Sequence, residues 1–170
     1  MGVGLLVGLA VLAAGVALYN GLVRDRNTTL AAWSDIGVQL KRRHDLIPKL
    51  VDSVKAYTAY EQATLLRVTE LRAAATRATR PGEAAQVEGE LGTAMRQLVA
   101  VAEKYPELKA NEQFLALMRE ITAVEQDLQH ARRYYNGAVR QYNVRVETVP
   151  GNFIAGAFKF QPAEYFGDDE

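Results

Sequence analysis

The sequence predicts an all-α protein: an N-terminal transmembrane helix, then an elongated antiparallel up-and-down four-helix bundle with an aromatic C-terminal tail. Three observations support this prediction. Residues 1–23 contain no charged side chain. From residue 50 onwards, apolar residues recur every three or four positions, which is the spacing of one helix face. Residues 150–170 are rich in aromatic side chains, which bury well and are uncommon in disordered tails.

Residues 1–23 are predicted to form a transmembrane anchor. About 20 apolar residues, at about 1.5 Å per residue, cross a hydrocarbon core of about 30 Å. Tyr19 falls near the end of this stretch, where aromatic residues meet the lipid headgroups. A cleaved signal peptide is the alternative, but no Lys or Arg occurs in residues 2–18, so the basic n-region is missing.

The basic residues that could orient this anchor all follow it. Arg24 and Arg26 come directly after the span, and residues 41–43 add three more positive charges. The positive-inside rule therefore predicts an N-terminus outside and a soluble domain in the cytoplasm of a single-pass cell-membrane protein. Asp25 lies between the two nearest arginines and weakens this bias.

Residues 24–149 are predicted to form the helical domain, with helices over residues 22–47, 48–79, 83–104 and 111–148. Turns are expected around Pro81, Pro106 and Pro150, because proline and glycine interrupt helices. Pro48 is ambiguous: it either kinks one long helix or is the first residue of a new helix. The short connections predict antiparallel neighbours.

The tail, residues 150–170, contains Phe153, Phe158, Phe160, Tyr165 and Phe166. Its aromatic content predicts that it packs against protein. It folds back either on the bundle of its own chain or on a neighbouring subunit.

The composition gives little support to catalysis. Twenty basic and twenty acidic residues balance, so no strong positive field draws the protein to nucleic acid. There is no cysteine, and His44 and His130 each lack the paired spacing of helical metal ligands. Glu61 and Glu125 could share a carboxylate cluster, but the Glu-x-x-His pattern is missing. We therefore expect no catalytic residues, no cofactor and no metal.

Two features suggest association. Gly4 and Gly8 have the small-residue spacing that lets membrane helices approach closely. The pairs Tyr135-Asn136 and Tyr142-Asn143 lie seven residues apart, on similar faces of one helix. Their polar groups can form hydrogen bonds across an interface or inside the core of a single chain.

Several long motifs resemble the LemA family. They are residues 33–48 (WSDIGVQLKRRHDLIP), 105–111 (YPELKAN) with Phe114, 131–136 (ARRYYN) with Tyr142 and Asn143, and the tail from Pro150 to Phe166. The resemblance implies one N-terminal membrane anchor and a soluble antiparallel helical bundle. It implies no enzyme, since no catalytic residues are established for the family. A related protein takes part in magnetosome formation, and neighbouring genes often encode secreted phosphatase-like proteins or HtpX-type membrane metalloproteases.

The conspicuous segment after the anchor is interpreted as an assembly surface. Its polar or aromatic members are Arg26, Asn27, Trp33, Asp35, Gln39, Arg43 and Asp45. Asp35, Gln39 and Arg43 are each four residues apart, so we expect them on one helix face, available to another subunit. The alternative is an ordinary solvated helix face.

These observations predict a non-enzymatic, membrane-anchored scaffold. It is expected to contact the lipid bilayer, to form homo-oligomers, to dock a membrane protein such as an HtpX-type protease, and to bind no nucleic acid. The alternative is a regulatory adaptor of a membrane metalloprotease, or a small-ligand binding module.

Overall fold

The computed structural model describes residues 2–58 and 61–167, and all regular secondary structure in them is helical. The helices are α1 (Gly2–Lys55), α2 (Gln62–Ala75), α3 (Pro81–Ala102), α4 (Pro106–Lys109), α5 (Glu112–Glu147) and α6 (Gly151–Ala157). The all-helical class and the long apolar N-terminal helix are thus confirmed. Residues 1, 59, 60 and 168–170, which belong to the predicted anchor, second helix and tail, lie outside the described residues.

The first helix runs through Pro48 without ending, so of the two interpretations of Pro48 the one with a single long helix is correct, and no new helix begins at residue 48. Its 54 residues measure about 80 Å at about 1.5 Å per residue. Proline has no N–H, so the carbonyl of His44, four residues earlier, loses its helical partner. Arg72 Nε donates to that carbonyl at 2.8 Å. A side chain from α2 thus satisfies the partly buried carbonyl, and α1 continues to Lys55.

The helix α5 packs along α1, and the two are antiparallel. Arg145 contacts Asp25, Tyr135 stacks beside Trp33, and Asp127 pairs with Arg42. Residue numbers therefore fall along α5 as they rise along α1. Asn111 caps the start of α5, because its Oδ1 accepts from two backbone N–H groups that the first helical turn leaves without partners.

The helices α2 and α3 pack on each other and cover the end of α1 that is distant from the apolar segment. Pro81 is the first residue of α3, where a missing N–H costs nothing. The buried side chains form a large cluster at this distal end, a second around Ile36 and Tyr135, and a third around Leu22 and Tyr142.

The first part of α1 has no protein cover. Within the described residues, α1 is the one helix long and apolar enough to cross a membrane, and its most apolar window has a mean hydropathy of 2.2. Side chains such as Val3, Leu6 and Leu12 are exposed in the isolated chain. This segment fits a membrane anchor, as the sequence predicts.

Candidate functional site: a buried charge cluster and the groove beside it

A carboxylate is buried where α3 meets α1. The side chain of Glu88 is 4% exposed and accepts two short contacts from neighbouring residues of α1. Arg43 Nη1 donates to its Oε2 at 2.6 Å, and His44 Nε2 lies 2.5 Å from its Oε1. Burying a carboxylate is costly unless its charge is paired and hydrogen-bonded. Glu88 meets both conditions.

Arg43 extends this cluster to α5. Its Nε lies 2.8 Å from Glu125 Oε1 as an ion pair, at an angle outside hydrogen-bond geometry. Gly92 makes room for the arginine, because a Cβ at this position would lie 2.9 Å from Arg43 Nη2. With the bond from Arg72 to the His44 carbonyl, the cluster joins α1, α2, α3 and α5. Such a network holds the helices in one register.

A polar cavity of about 210 Å³ opens beside the cluster. Its charged lining residues are Arg43, Glu88, Arg96, Glu125 and Arg132. Within residues 2–58 and 61–167, no group of three or more His, Asp or Glu side chains has the arrangement of a metal site. The chemistry of this lining is charge pairing.

A larger and mostly apolar groove of about 720 Å³ lies on the other side of His44. The α1 side of the groove includes Trp33, Gly37, Val38 and Asp45, and the opposite side is formed by the end of α2 and the connection to α3. Val38 is exposed in the groove, and a Cβ on Gly37 would meet no atom within 4 Å.

Arg43 is not on the surface, so its predicted place in an exposed assembly surface is wrong. It is 5% exposed and its charge is paired inside the chain. Helical steps of four residues do not repeat one direction, because about 100° per residue gives about 40° of drift per step. Asp35 is therefore exposed, Gln39 is half-buried, and Arg43 has rotated into the core.

The other members of the predicted assembly surface are divided among several environments. Trp33 stacks against Tyr135 and Phe166 of its own chain. Gln39 accepts a hydrogen bond from Arg42 at 2.9 Å. Asp45 is exposed and bonded to Lys41 at 3.0 Å, and this hydrogen bond lowers its pKa. Arg26, Asn27 and Asp35 are exposed on α1, and Arg26 points about half a turn away from Asp35.

Gly4 and Gly8, the predicted packing positions of the anchor, lie in the uncovered part of α1. A Cβ at either position would meet no atom within 4 Å. Their role in packing against another helix stays a prediction.

A second ion pair, between buried Asp25 and the partly exposed Arg145, joins α1 to α5 just after the apolar segment. Asp25 is 5% exposed, lies 3.2 Å from Arg145 Nη1, and accepts from Gln141 Nε2 at 3.2 Å. Gly21 allows this approach, because a Cβ there would overlap Arg145 Nη1. In sequence, Asp25 looks like one of a run of exposed charges.

The two Tyr-Asn pairs act inside the chain. Asn143 donates to the carbonyl of Ala163 at 3.0 Å and accepts from its N–H at 2.8 Å. Asn136 forms the same paired contact with the backbone of Phe166, at 3.3 and 2.9 Å. Each side-chain amide therefore forms with the backbone of the tail the pair of hydrogen bonds that a neighbouring β-strand would form. The side chain of Phe166 is buried, and its ring packs against that of Trp33.

We expect this tail contact to weaken at alkaline pH, because it depends on the protonated hydroxyl of Tyr135. Its hydroxyl donates to the Glu164 carbonyl at 2.7 Å, and burial, with the Glu164 charge, raises its pKa to about 12. Burial also raises the pKa of Tyr142. The unfolded chain releases the Tyr135 proton near pH 10, so this stabilisation is complete below pH 10 and is lost as the pH rises to 12.

We expect the urea midpoint to fall between pH 10 and 12, and to fall less in Tyr135→Phe, which has no proton to release. Tyr134→Phe is the matched control, because Tyr134 is adjacent and exposed. An identical pH dependence in Tyr135→Phe and the parent protein would contradict the assignment.

These features define a class of protein: a helical domain whose first helix also contains an N-terminal segment long and apolar enough to cross a membrane. Residues 32–170 match the LemA family profile, and the chain belongs to the LemA family. The family predicted from the sequence motifs is thus confirmed.

Named relatives cover most of this chain. Protein LemA of Metamycoplasma hominis is 30% identical over 144 residues, which is 82% of this chain and 64% of the relative. Magnetosome proteins MamQ 1 and MamQ 2 of Paramagnetospirillum magneticum are each 24% identical over 184 residues, which is 93% of this chain and 68% of each relative. The chain therefore spans about two thirds of the length of these proteins.

Proposed function

We propose that this protein is a non-enzymatic, membrane-anchored helical scaffold that self-associates and docks membrane-protein partners. In this proposal, residues 1–23 serve as the transmembrane anchor, residues 24–149 as the antiparallel up-and-down four-helix bundle, and residues 150–170 as a tail that packs on the bundle or on a neighbouring subunit. The observation that carries this proposal is the continuity of α1, which runs unbroken from the exposed apolar segment into the charge cluster at Arg43 and His44.

Because α1 is one continuous helix, it holds the apolar groove between α1 and the end of α2, here called the docking groove, at a fixed height above the bilayer. From Leu22 to the groove residues Trp33 and Asp45, α1 rises by about 15 to 35 Å. The ion pair between Asp25 and Arg145 prevents α5 from sliding along α1 just above the membrane. A flexible linker would not fix this distance.

The groove suits a helix that emerges from a neighbouring membrane protein. It is mostly apolar, and Lys41, Asp45 and Arg72 place charges around it. Apolar anchors with charged flanks are what an amphipathic helix presents to a partner. An HtpX-type membrane protease is one such partner, and the similarity to proteins named for the magnetosome favours a role in a membrane assembly. Following the positive-inside rule, we place the domain in the cytoplasm.

The proposal predicts a homogeneous oligomer in native lipid. The mass of the particle extracted into lipid nanodiscs, corrected for lipid, should be a fixed multiple of 18.7 kDa. A particle with a second protein in fixed ratio would instead support the adaptor alternative and identify its partner. A plain monomer would contradict both.

If the anchors associate through the face that contains Gly4 and Gly8, bulky residues should disrupt the oligomer only when they are placed on that face. Gly4→Leu with Gly8→Leu should reduce the oligomer to smaller particles, because leucine side chains separate the helix backbones. Ala13→Leu is the matched control, since it lies roughly 160° around the helix from the glycines. Equal loss of oligomer in both variants would contradict a packing face at Gly4 and Gly8.

A further inference from the structure

The first part of the tail exposes large apolar side chains to water, which is energetically unfavourable. In residues 148–163 the one charged side chain is Lys159. Phe153 is 70% exposed, Phe158 is 60% exposed, and Val149 is 71% exposed. A soluble monomer seldom exposes several large apolar side chains on one short segment, and exposed apolar surface of this kind marks an interaction site.

The position of α6 along α1 places this surface at the end of the apolar segment. The ring of Tyr19 lies 4.8 Å from that of Phe158 and 5.8 Å from that of Phe160, measured between centroids. On its inner side, Ala155 is buried in the cluster that contains Leu22. The helix α6 therefore lies beside residues 19–22 of α1, with its opposite side uncovered.

The thickness of the bilayer places residues 19–22 of α1 at the membrane surface. About 20 helical residues cross a hydrocarbon core of about 30 Å, so a span that begins near Val3 ends near Leu22. A helix lying in the interface buries its apolar face by about 5 to 10 Å at the boundary between headgroups and acyl chains. Phe158, whose ring packs against that of Tyr19, is at the height where that boundary falls, and Phe153 lies on the short helix that ends just before Phe158.

We propose that residues 149–160 form an interfacial membrane-binding segment, which inserts Phe153 and Phe158 into the headgroup boundary of the bilayer that α1 spans. This inference rests on the proposed membrane anchor. A second copy of the chain is a poorer occupant, because a seven-residue helix cannot supply the roughly 800 Å² per partner of a standard protein interface. Lys159 is the right charge for anionic headgroups, which attract basic side chains.

A second contact with the bilayer changes what the anchor can do. A lone transmembrane helix leaves the domain free to rotate about the helix axis. Insertion of α6 at one side of α1 fixes that rotation, so the groove beside Trp33 points in a constant direction relative to the membrane. The segment therefore orients the docking surface that the scaffold presents.

The absence of cysteine from the chain allows a direct measurement of depth. Three full-length variants, Ala10→Cys, Ala157→Cys and Ala116→Cys, receive the same nitroxide label and are reconstituted into vesicles of phosphatidylcholine and phosphatidylglycerol. All three alanines are exposed on helices, in the anchor, in α6 and near the distal end of α5. Oxygen concentrates in the bilayer and a nickel chelate stays in water, so their collision ratio with the label reports depth.

We expect a deep label at residue 10, an interfacial label at residue 157 and an aqueous label at residue 116. Adding Phe153→Asp should move the label at residue 157 towards the aqueous value and leave residue 10 unchanged. An aqueous label at residue 157 with a deep label at residue 10 would overturn this inference and leave the anchor intact. A label at residue 157 shielded from both reagents would also overturn it, as a protein contact. An aqueous label at residue 10 would overturn the anchor itself.

Discussion

Replacing Glu88 with Gln is expected to lower the free energy of unfolding by about 3 kcal/mol, because it leaves a buried arginine short of negative charge. In the parent protein, Glu88 pairs with Arg43 at 2.6 Å, and both side chains are nearly inaccessible to water. The amide keeps the shape of the side chain but not its charge. Glu125 still neutralises Arg43 in part, from a side chain that is 36% exposed.

Glu90→Gln is the matched control, since it is the same change on the same helix. Glu90 pairs with Arg67 at 2.9 Å, but both side chains are about half exposed. Exposed pairs contribute about 0 to 1 kcal/mol, so this variant should unfold almost like the parent. The measurement is urea unfolding in one detergent, followed by circular dichroism. Equal small losses in the two variants would show that the buried cluster does not hold the helices together.

Replacing Asn136 and Asn143 together with Ala is expected to release the tail from α5. Each amide now serves both the N–H and the C=O of one tail residue, Phe166 or Ala163. Without the amides, four backbone groups lose their partners at about 1 to 3 kcal/mol each if they stay buried. Detachment, with solvation by water, is the less costly outcome.

Trypsin measures this release, because Lys159 lies in the tail before the segment that the asparagines hold. Cleavage after Lys159 should be several times faster in the double variant, in proportion to the population of the detached state. Asn27→Ala, at an exposed position on α1, is the control and should not change the rate. Unchanged cleavage in the double variant would contradict the conclusion that Asn136 and Asn143 hold the tail on α5.

Prediction from sequence worked where one local property is decisive. The uncharged run of residues 1–23 needs only length and hydropathy to indicate a long apolar helix, and the structure has one. The predicted start of the last helix at residue 111 agrees with α5, which begins directly after its cap Asn111. Periodicity of apolar residues is also local, and it correctly indicates an all-helical chain.

Prediction failed where the partner of a residue comes from a distant part of the chain. In sequence, Pro48 fits either a long helix or a helix boundary, and only the structure shows that Arg72 satisfies the carbonyl that the proline leaves free. Arg43 reads as a surface charge until Glu88 and Glu125 are seen around it. The one available signal for Glu88 was its place four residues after buried Ala84 and four before Gly92, on the inner face of α3.

The sequence by itself determined the helical class, the long apolar N-terminal helix and the family, because hydropathy, spacing and long motifs are properties of neighbouring residues. Only the tertiary structure decided which polar side chains are buried and where the tail lies. Burial and ion pairing depend on which helices meet, and a charge looks the same in sequence whether it is solvated or paired. The tail is the clearest case: its aromatic content shows that it packs, but the contacts of Asn136 and Asn143 place part of it on α5, and those of Tyr19 set the rest beside the anchor.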